Sequence, residues 1–265
     1  MIKRITGKIQ KLFTEYNRNL LMELISAEFK AYEQNSILGV CWNLLNPAIT
    51  LLIMYCVFER KYGQHVKFYP LFLLIGVVTV NFFITVTTRM IVSIAINWNI
   101  VLNSTIPREN FVLADLYIYT CKFLIELSLC CLLSIFYGVF AWPSLLLILP
   151  LLAAYTGLVL GFGLIVSLLY CVAMDIDHIW RIASRLFLFI TPVFYSLEHT
   201  TPIFAKLIYW FNPITPFLIA FRQVFIWDNT FNIANYLYSL FLGCSFLIFG
   251  YFIFVIFENT AIERV

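Results

Sequence analysis

The sequence predicts an all-α membrane protein with six transmembrane helices, an N-terminal amphipathic interface helix and a re-entrant helical hairpin. Hydrophobic residues make up 62% of the 265 residues and charged residues only 12%, too little polar surface to cover a water-soluble globule. Long apolar runs also recur along the chain, and about 20 such residues in a helix cross a hydrocarbon core of about 30 Å. We therefore expect one transmembrane domain covering residues 1–265.

Residues 1–37 are expected to form a cytoplasmic tail followed by the interface helix. Apolar residues recur there at helical spacing, and polar residues occupy the opposite side, namely Glu23, Ser26, Lys30 and Glu33. A soluble amphipathic helix packed on a core would show the same pattern. The interface helix is favoured because the adjacent apolar segment is a membrane span.

Six apolar ranges are expected to span the membrane: 38–58, 69–96, 111–140, 145–173, 179–196 and 233–257. The second carries Arg89 near its end, where a long side chain can reach the interface. Residues 200–228 are aromatic but interrupted by three prolines, Pro202, Pro213 and Pro216. The pieces between the prolines are too short to span, which predicts the re-entrant hairpin.

Six spans place both termini on the same side of the membrane, and the basic residues indicate which side. Lysines and arginines are most frequent in the N-terminal tail and in the links that share its side. Both termini are therefore predicted to be cytoplasmic, with the hairpin at the outer face.

A polar stripe is expected along the third span, and Arg89 of the second span is counted with it as a candidate channel residue. Asp115, Lys122 and Glu126 lie at offsets of 7 and 11 residues and so share one helical face. Intramembrane charges usually face a bundle interior or a water-filled path. Two interpretations explain the spacing equally well. One is a structural ion pair between Lys122 and Glu126, and the other is a polar stripe that lines a channel. A proton relay is less favoured, because the other spans carry few titratable residues.

Several chemistries are not supported by the sequence. No GxxxxGK[ST] phosphate-binding loop occurs, so ATP hydrolysis by that route is excluded and energy must come from outside the chain. The Asp175-Ile176-Asp177-His178 segment resembles a DxD metal site, but a solvated link between spans explains it better, because a divalent ion needs more oxygen ligands. No metal site, catalytic residue or nucleic-acid-binding face is expected in this chain.

A family resemblance emerges from the order of several motifs. These are Leu38-Gly39 followed by Trp42 and Asn46-Pro47, then YPLFLLIGVVTVNFF, NSTIPREN, ITPVFYSLEHTTP, FNPITPFLIAFRQVF and the final FENTAIERV. Together they cover almost the whole chain and resemble the permease subunit of bacterial polysaccharide ABC exporters. The resemblance implies the ABC-2 exporter fold, working as a homodimer with two copies of a separate ATPase that binds ATP and magnesium.

The resemblance also implies residue roles. A substrate entrance is expected at Leu38, Gly39 and Trp42. ATPase contacts are expected in the interface helix and in the loop before the third span, at Glu23, Lys30, Glu33, Asn97, Trp98, Pro107 and Arg108. The hairpin resembles a periplasmic gate, here represented by Trp210, Pro213, Pro216 and Arg222.

The expected function is export of an undecaprenyl-linked polysaccharide across the bacterial inner membrane, with O-antigen as the first candidate. Capsule or teichoic acid export would use the same architecture. An ABC-2 permease for drugs or small lipids is the main alternative. A membrane-bound glycosyl- or acyltransferase that uses Asp175 and Asp177 is a third possibility, from a different class of protein.

Overall fold

A computed structural model of the chain describes residues 19–26, 42–64, 66–103, 106–142, 144–226 and 231–262. Within these ranges all regular secondary structure is helical, which confirms the predicted all-α class. Helix α1 covers residues 19–26. The others are α2 Trp42–Phe58, α3 Tyr69–Ile96, α4 Trp98–Asn103, α5 Glu109–Phe136, α6 Ser144–Val172, α7 Asp175–Ile190, α8 Pro202–Phe211, α9 Ile214–Phe225 and α10 Ile233–Ile262.

Helix α3 lies at the centre of the bundle and packs against α2, α5, α6, α7 and α9. In its most apolar stretch 78% of the residues are buried, whereas in the most apolar stretch of Trp42–Gly63, which contains α2, only 6% are buried. Helix α2 continues through a π-helical turn, Glu59–Gly63, before a short link leads to α3. Phe68 ends that link in the left-handed conformation, with φ 53°, and Pro70 lies in the first turn of α3. The bundle is thus built around α3, with α2 at its periphery.

Helices α6 and α10 form the most extensive contact in the bundle. They approach so closely that a Cβ atom at Gly161 would overlap the Phe246 carbonyl, and one at Gly243 would overlap the Ala154 carbonyl. Without a hydrophobic driving force between helices in lipid, small residues allow the backbones to gain van der Waals contact. Glycine spacing on both helices therefore determines this packing.

Five helical segments of the described part are long and apolar enough to cross a membrane: Trp42–Gly63, Tyr69–Ile96, Glu109–Phe136, Leu146–Val172 and Ile233–Glu258. The sixth candidate is the pair α8 and α9, which bend by 101°. The structure departs from the expected fifth span over 179–196, because α7 runs from Asp175 to Ile190 and ends before Pro192. The residue before a proline favours an extended backbone, and Thr191 has ψ 136°.

The segment that follows α7 is non-helical but buried from Thr191 to Phe194. Tyr69 donates a hydrogen bond to the Phe194 carbonyl at 3.1 Å, and the Phe194 ring stacks on Phe58 with centroids 4.5 Å apart. Asn212 then links this segment to the α8–α9 bend, because its amide donates to Thr191 Oγ1 at 2.7 Å. The hairpin is thus attached to the ends of α2 and α3.

Candidate functional site

Two polar stripes face each other in the bundle, one on α3 and one on α5. Asn81, Thr85 and Arg89 lie at offsets of 4 and 8 residues on α3, which places them on one helical face. The stripe on α5 begins at Asp115 and continues at offsets of 4, 7 and 11 residues from it, with Tyr119, Lys122 and Glu126 on the same helical face. Helices in a bilayer rarely carry such groups unless they face a protein interior or a water-filled path.

A polar cavity of about 440 Å³ lies between α2, α3 and α5. Its polar lining comes from Asn43, Asn46 and Thr50 on α2, from Asn81 and Thr85 on α3, and from Tyr119, Lys122 and Glu126 on α5. Phe82 and Phe123 add apolar surface and stack on each other with centroids 4.2 Å apart. Lys122 Nζ lies 4.3 Å from the centroid of the Tyr119 ring, within the range of a cation–π contact.

A second cavity, also about 440 Å³, adjoins the first and shares Thr85 and Tyr119 with it. It extends towards Arg89, Asp177 and Arg181. Arg89 donates to Asp115 at 3.1 Å, and the Asp115 side chain is almost fully buried. The two cavities therefore adjoin along the facing stripes, and together with these stripes they are called the polar path below.

The charged end of this path is held by contacts between α3, α5 and α7. Arg181 forms an ion pair with Asp177 one helical turn earlier, at 2.6 Å. Trp180 packs against α3, and its indole N–H donates to Thr88 Oγ1 at 3.2 Å. Helix α7 thus covers the side of α3 next to Arg89.

The start of α5 is tied to the end of α10 by an ion pair. Arg108 Nη1 donates to Glu258 Oε1 at 3.0 Å, and the Glu258 side chain is 7% exposed. Burial lowers the pKa of the Arg108 guanidinium from its ordinary value. The neighbouring Glu109 carboxylate is buried, and neither of its oxygens has a hydrogen-bond partner among the described residues. The start of α5 is therefore linked to the last helix through Arg108.

Away from the Arg108–Glu258 pair, Arg222 of α9 is buried among backbone carbonyls. Its guanidinium donates to the Pro192 and Val193 carbonyls, each at 2.8 Å, and to the Phe72 carbonyl at 3.4 Å. It also lies 3.3 Å from the centroid of the Phe72 ring. A Cβ at Gly76 would lie 2.9 Å from Arg222 Nη2, so glycine leaves the space for this group. Arg222 thereby joins α9, α3 and the segment after α7.

The family model for ABC-2 type transporters matches residues 19–226. This chain belongs to the ABC-2 type transporter family. It is a transport subunit set in a membrane, and the family works with an ABC ATPase.

Relatives of this ABC-2 transporter include three O-antigen export system permease proteins named RfbA. One from Klebsiella pneumoniae is 23% identical over 240 residues, covering 90% of this chain and 92% of that protein. A second from the same species is 24% identical, covering 80% and 82%. One from Myxococcus xanthus is 25% identical, covering 78% of this chain and 80% of that protein.

The structure brings together most of the polar stripe expected in this ABC-2 transporter. Lys122 and Glu126 line the first cavity, whereas Arg89 lines the second and contacts Asp115. The Arg89 side chain is 32% exposed and is paired with Asp115 of the facing helix. The facing stripe on α3 explains why these charges are grouped.

The expected entrance and ATPase contacts are only partly within the described residues. Leu38, Gly39, Lys30 and Glu33 lie outside them, whereas Trp42 and Glu23 are exposed. Beside Glu23, Ile25 packs against Ala114 and Ile118 of α5. Asn97 and Trp98 lie at the junction of α3 and α4 and are half-buried, and Pro107 directly precedes Arg108.

The expected gate residues of this ABC-2 transporter are divided between surface and interior. Trp210 is 65% exposed at the end of α8, whereas Arg222 is buried. Pro213 lies in the bend, and the Pro216 carbonyl accepts a hydrogen bond from Asn235 of α10 at 3.2 Å. Only Trp210 of this group presents a large side chain at the surface of the hairpin.

Sequence reasoning missed the three asparagines of the first cavity and Glu258. A signal for the asparagines was present, because Asn43, Asn46 and Thr50 lie at offsets of 3 and 7 and so share one face of the first span. Glu258 lies one residue beyond the last expected span, 233–257. Its pairing with Arg108 spans 150 residues of sequence, and no local pattern predicts it.

Proposed function

We propose that this chain is the transmembrane subunit of an ATP-driven exporter that moves an undecaprenyl-linked polysaccharide, with O-antigen as the first candidate. The polar path between α3 and α5 carries the proposal, because a hydrated glycan needs hydrogen-bonding groups within the membrane. The relatives are named as O-antigen export permeases, which supports this class of substrate. Export of capsule or teichoic acid would require the same features.

The proposed assembly contains two copies of this chain and two copies of an ABC ATPase that binds ATP and magnesium. Exposure of α2 supports a second copy, because Leu52, Ile53 and Val57 are each more than half exposed. In a membrane such a face is covered by lipid or by another helix, and a homodimer would place two polar paths side by side. We place the complex in the inner membrane with both termini in the cytoplasm.

In this proposal the ATPase contacts the chain at two places. The first place is the interface helix, with Glu23, Lys30 and Glu33. The second is the 97–108 segment, with Asn97, Trp98, Pro107 and Arg108. The ion pair between Arg108 and Glu258 supports the second contact, because it connects that segment to the end of α10. Movement of the ATPase would thereby reach two spans at once.

The substrate is proposed to enter beside Leu38, Gly39 and Trp42 and to leave at the α8–α9 hairpin. The Arg222 contacts support a role for the hairpin as a unit, because α9, α3 and residues 192–193 are held together there. Trp210 would then lie on the moving surface of the gate. Pro213 and Pro216 would fix the bend between its two helices.

One observation favours a second candidate, a permease for drugs or small lipids. An apolar cavity of about 370 Å³ lies beside α7 and α8, lined by Phe187, Ile190, Leu207, Ile208 and Phe211 together with Asn212. Such a cavity suits an acyl chain better than a sugar. It is separate from the polar path and is equally suited to the lipid part of a lipid-linked glycan.

Deletion of the gene separates the two candidates. We expect cells that lack this chain to lose surface glycan and to accumulate lipid-linked glycan inside, and a plasmid copy to restore export. Surface glycan is measured by antibody or lectin labelling of intact cells and the internal pool by labelling after lysis. Normal surface glycan combined with altered drug tolerance would contradict polysaccharide export and favour the second candidate.

A further inference from the structure

We propose that the cavity between α2, α3 and α5 is a binding subsite for a single neutral sugar ring. This inference rests on the proposed function, since it assigns part of the glycan to a defined place. The polar side chains of the cavity on which the inference depends are Asn43, Asn46, Asn81, Tyr119, Lys122 and Glu126.

The hydrogen-bonding groups of the cavity match a polyhydroxyl ring. Each asparagine amide offers donors and an acceptor, Lys122 offers donors only, and the Glu126 carboxylate offers acceptors only. A sugar hydroxyl both donates and accepts, so such a mixed set can satisfy several hydroxyls at once. The asparagines come from two helices, α2 and α3, so the ligand would be held from opposite sides.

The aromatic groups give the cavity an apolar surface for the C–H faces of a pyranose. Tyr119 is half-buried at the boundary between the two cavities. Phe82 and Phe123 are buried and stacked on each other, which makes them a rigid wall. An arrangement of aromatic walls with a few convergent polar groups is typical of small-molecule sites, and about 440 Å³ lies within their usual range of ≈ 300–1,000 Å³.

The charges of the cavity argue for a neutral ring over an anionic one. Lys122 and Glu126 both line it, so a uronate or phosphate drawn by the ammonium group would also meet a carboxylate. At membrane depth such repulsion is poorly screened. A cation would meet the Lys122 ammonium in the same way. The favoured ligand is therefore uncharged.

Photolabelling with a sugar tests the proposal directly. Membranes from cells that express the full-length chain are illuminated with a diazirine derivative of methyl glucoside, and labelled peptides are identified by mass spectrometry. We expect label on the peptides that contain Asn46, Asn81 or Tyr119, saturable and displaced by unlabelled methyl glucoside. Labelling that excess methyl glucoside does not displace, or label found only on other peptides, would overturn the proposal.

Matched variants make the test specific for the cavity. Asn81→Leu removes an amide at nearly constant size and is expected to reduce displaceable labelling about fivefold, the value of one hydrogen bond. Ser128→Leu is the control, because Ser128 is an exposed polar residue on α5 that does not line the cavity. Equal labelling of Asn81→Leu and Ser128→Leu would contradict the assignment.

A charge variant provides a readout that a structural role would not produce. Glu126→Gln keeps an acceptor but removes the negative charge, so a diazirine derivative of glucuronate, which the native cavity excludes, should now label the same peptides. No gain of glucuronate labelling would contradict the electrostatic part of the proposal. If the native chain restores surface glycan but shows no displaceable labelling, the subsite is refuted and the proposed function stands. If it restores no surface glycan, the proposed function itself fails.

Discussion

At the scale of single residues, the main feature is Arg222, whose guanidinium donates hydrogen bonds to three backbone carbonyls. A buried guanidinium is stable only if its donors are satisfied, and here backbone carbonyls of α3 and of the segment after α7 accept from it. The Pro192 and Val193 carbonyls are available because α7 ends at Ile190, which leaves the backbone after it without helical hydrogen bonds. Arg222 thus stabilises a break that the chain requires in order to form the hairpin.

Arg222→Met should destabilise the protein by about 1–3 kcal/mol, because it leaves buried carbonyls without donors. Arg222→Lys should recover only part of this loss, since an ammonium group lacks the planar fork that reaches three carbonyls. The melting temperature of the purified chain in detergent measures both. Lys206→Met is the control because Lys206 is exposed on α8. Equal melting temperatures for Arg222→Met and Lys206→Met would show that the carbonyl contacts contribute little.

The Arg108–Glu258 ion pair supports a second prediction at this scale. Arg108→Gln leaves a carboxylate that is 7% exposed without this partner, which should lower stability by about 1–3 kcal/mol. Export should fall further than stability if the 97–108 segment passes movement to α10. The combined exchange Arg108→Glu with Glu258→Arg should restore part of both. Export that follows protein level alone in every variant would refute the coupling role.

At the scale of helices, glycine controls how α6 meets α10. A Cβ at Gly161 would overlap the Phe246 carbonyl, whereas one at Gly157 would lie 3.5 Å from the Gly243 carbonyl, an ordinary contact. Gly161→Ala should therefore separate the helices and reduce the amount of folded protein several-fold, and Gly157→Ala should be tolerated. Size-exclusion chromatography of detergent extracts gives the folded amount. Similar yields of the two variants would contradict the close contact between α6 and α10 at Gly161.

The sequence predicted individual helices better than their breaks. Residues 69–96 were expected as a span, and α3 has the same bounds because nearly all of that range is uncharged and apolar. The range 179–196 was judged by hydropathy, whereas the restriction that Pro192 places on Thr191 ends α7 at Ile190. Asp177 and Arg181, which pair with each other within α7, also make this helix more polar than a simple span.

At the scale of the whole molecule, the polar path depends on helices that are distant in sequence. The spacing of Asp115, Lys122 and Glu126 predicted a polar face on one helix, but it could not identify the helix opposite. Asn81 and Thr85 became part of the site only when α3 packed against α5. The family was recognisable from motif order along the chain, and the match over residues 19–226 confirms it.

The central claim is that this chain moves a lipid-linked glycan across a membrane when its ATPase hydrolyses ATP. The most direct measurement uses proteoliposomes that contain the chain, its ATPase and undecaprenyl-linked glycan, with a lectin that detects glycan on one side only. We predict that ATP moves glycan to the far side and that liposomes without the chain show no transfer. ATP hydrolysis without glycan transfer, in liposomes that do move a short-chain fluorescent lipid, would contradict the claim.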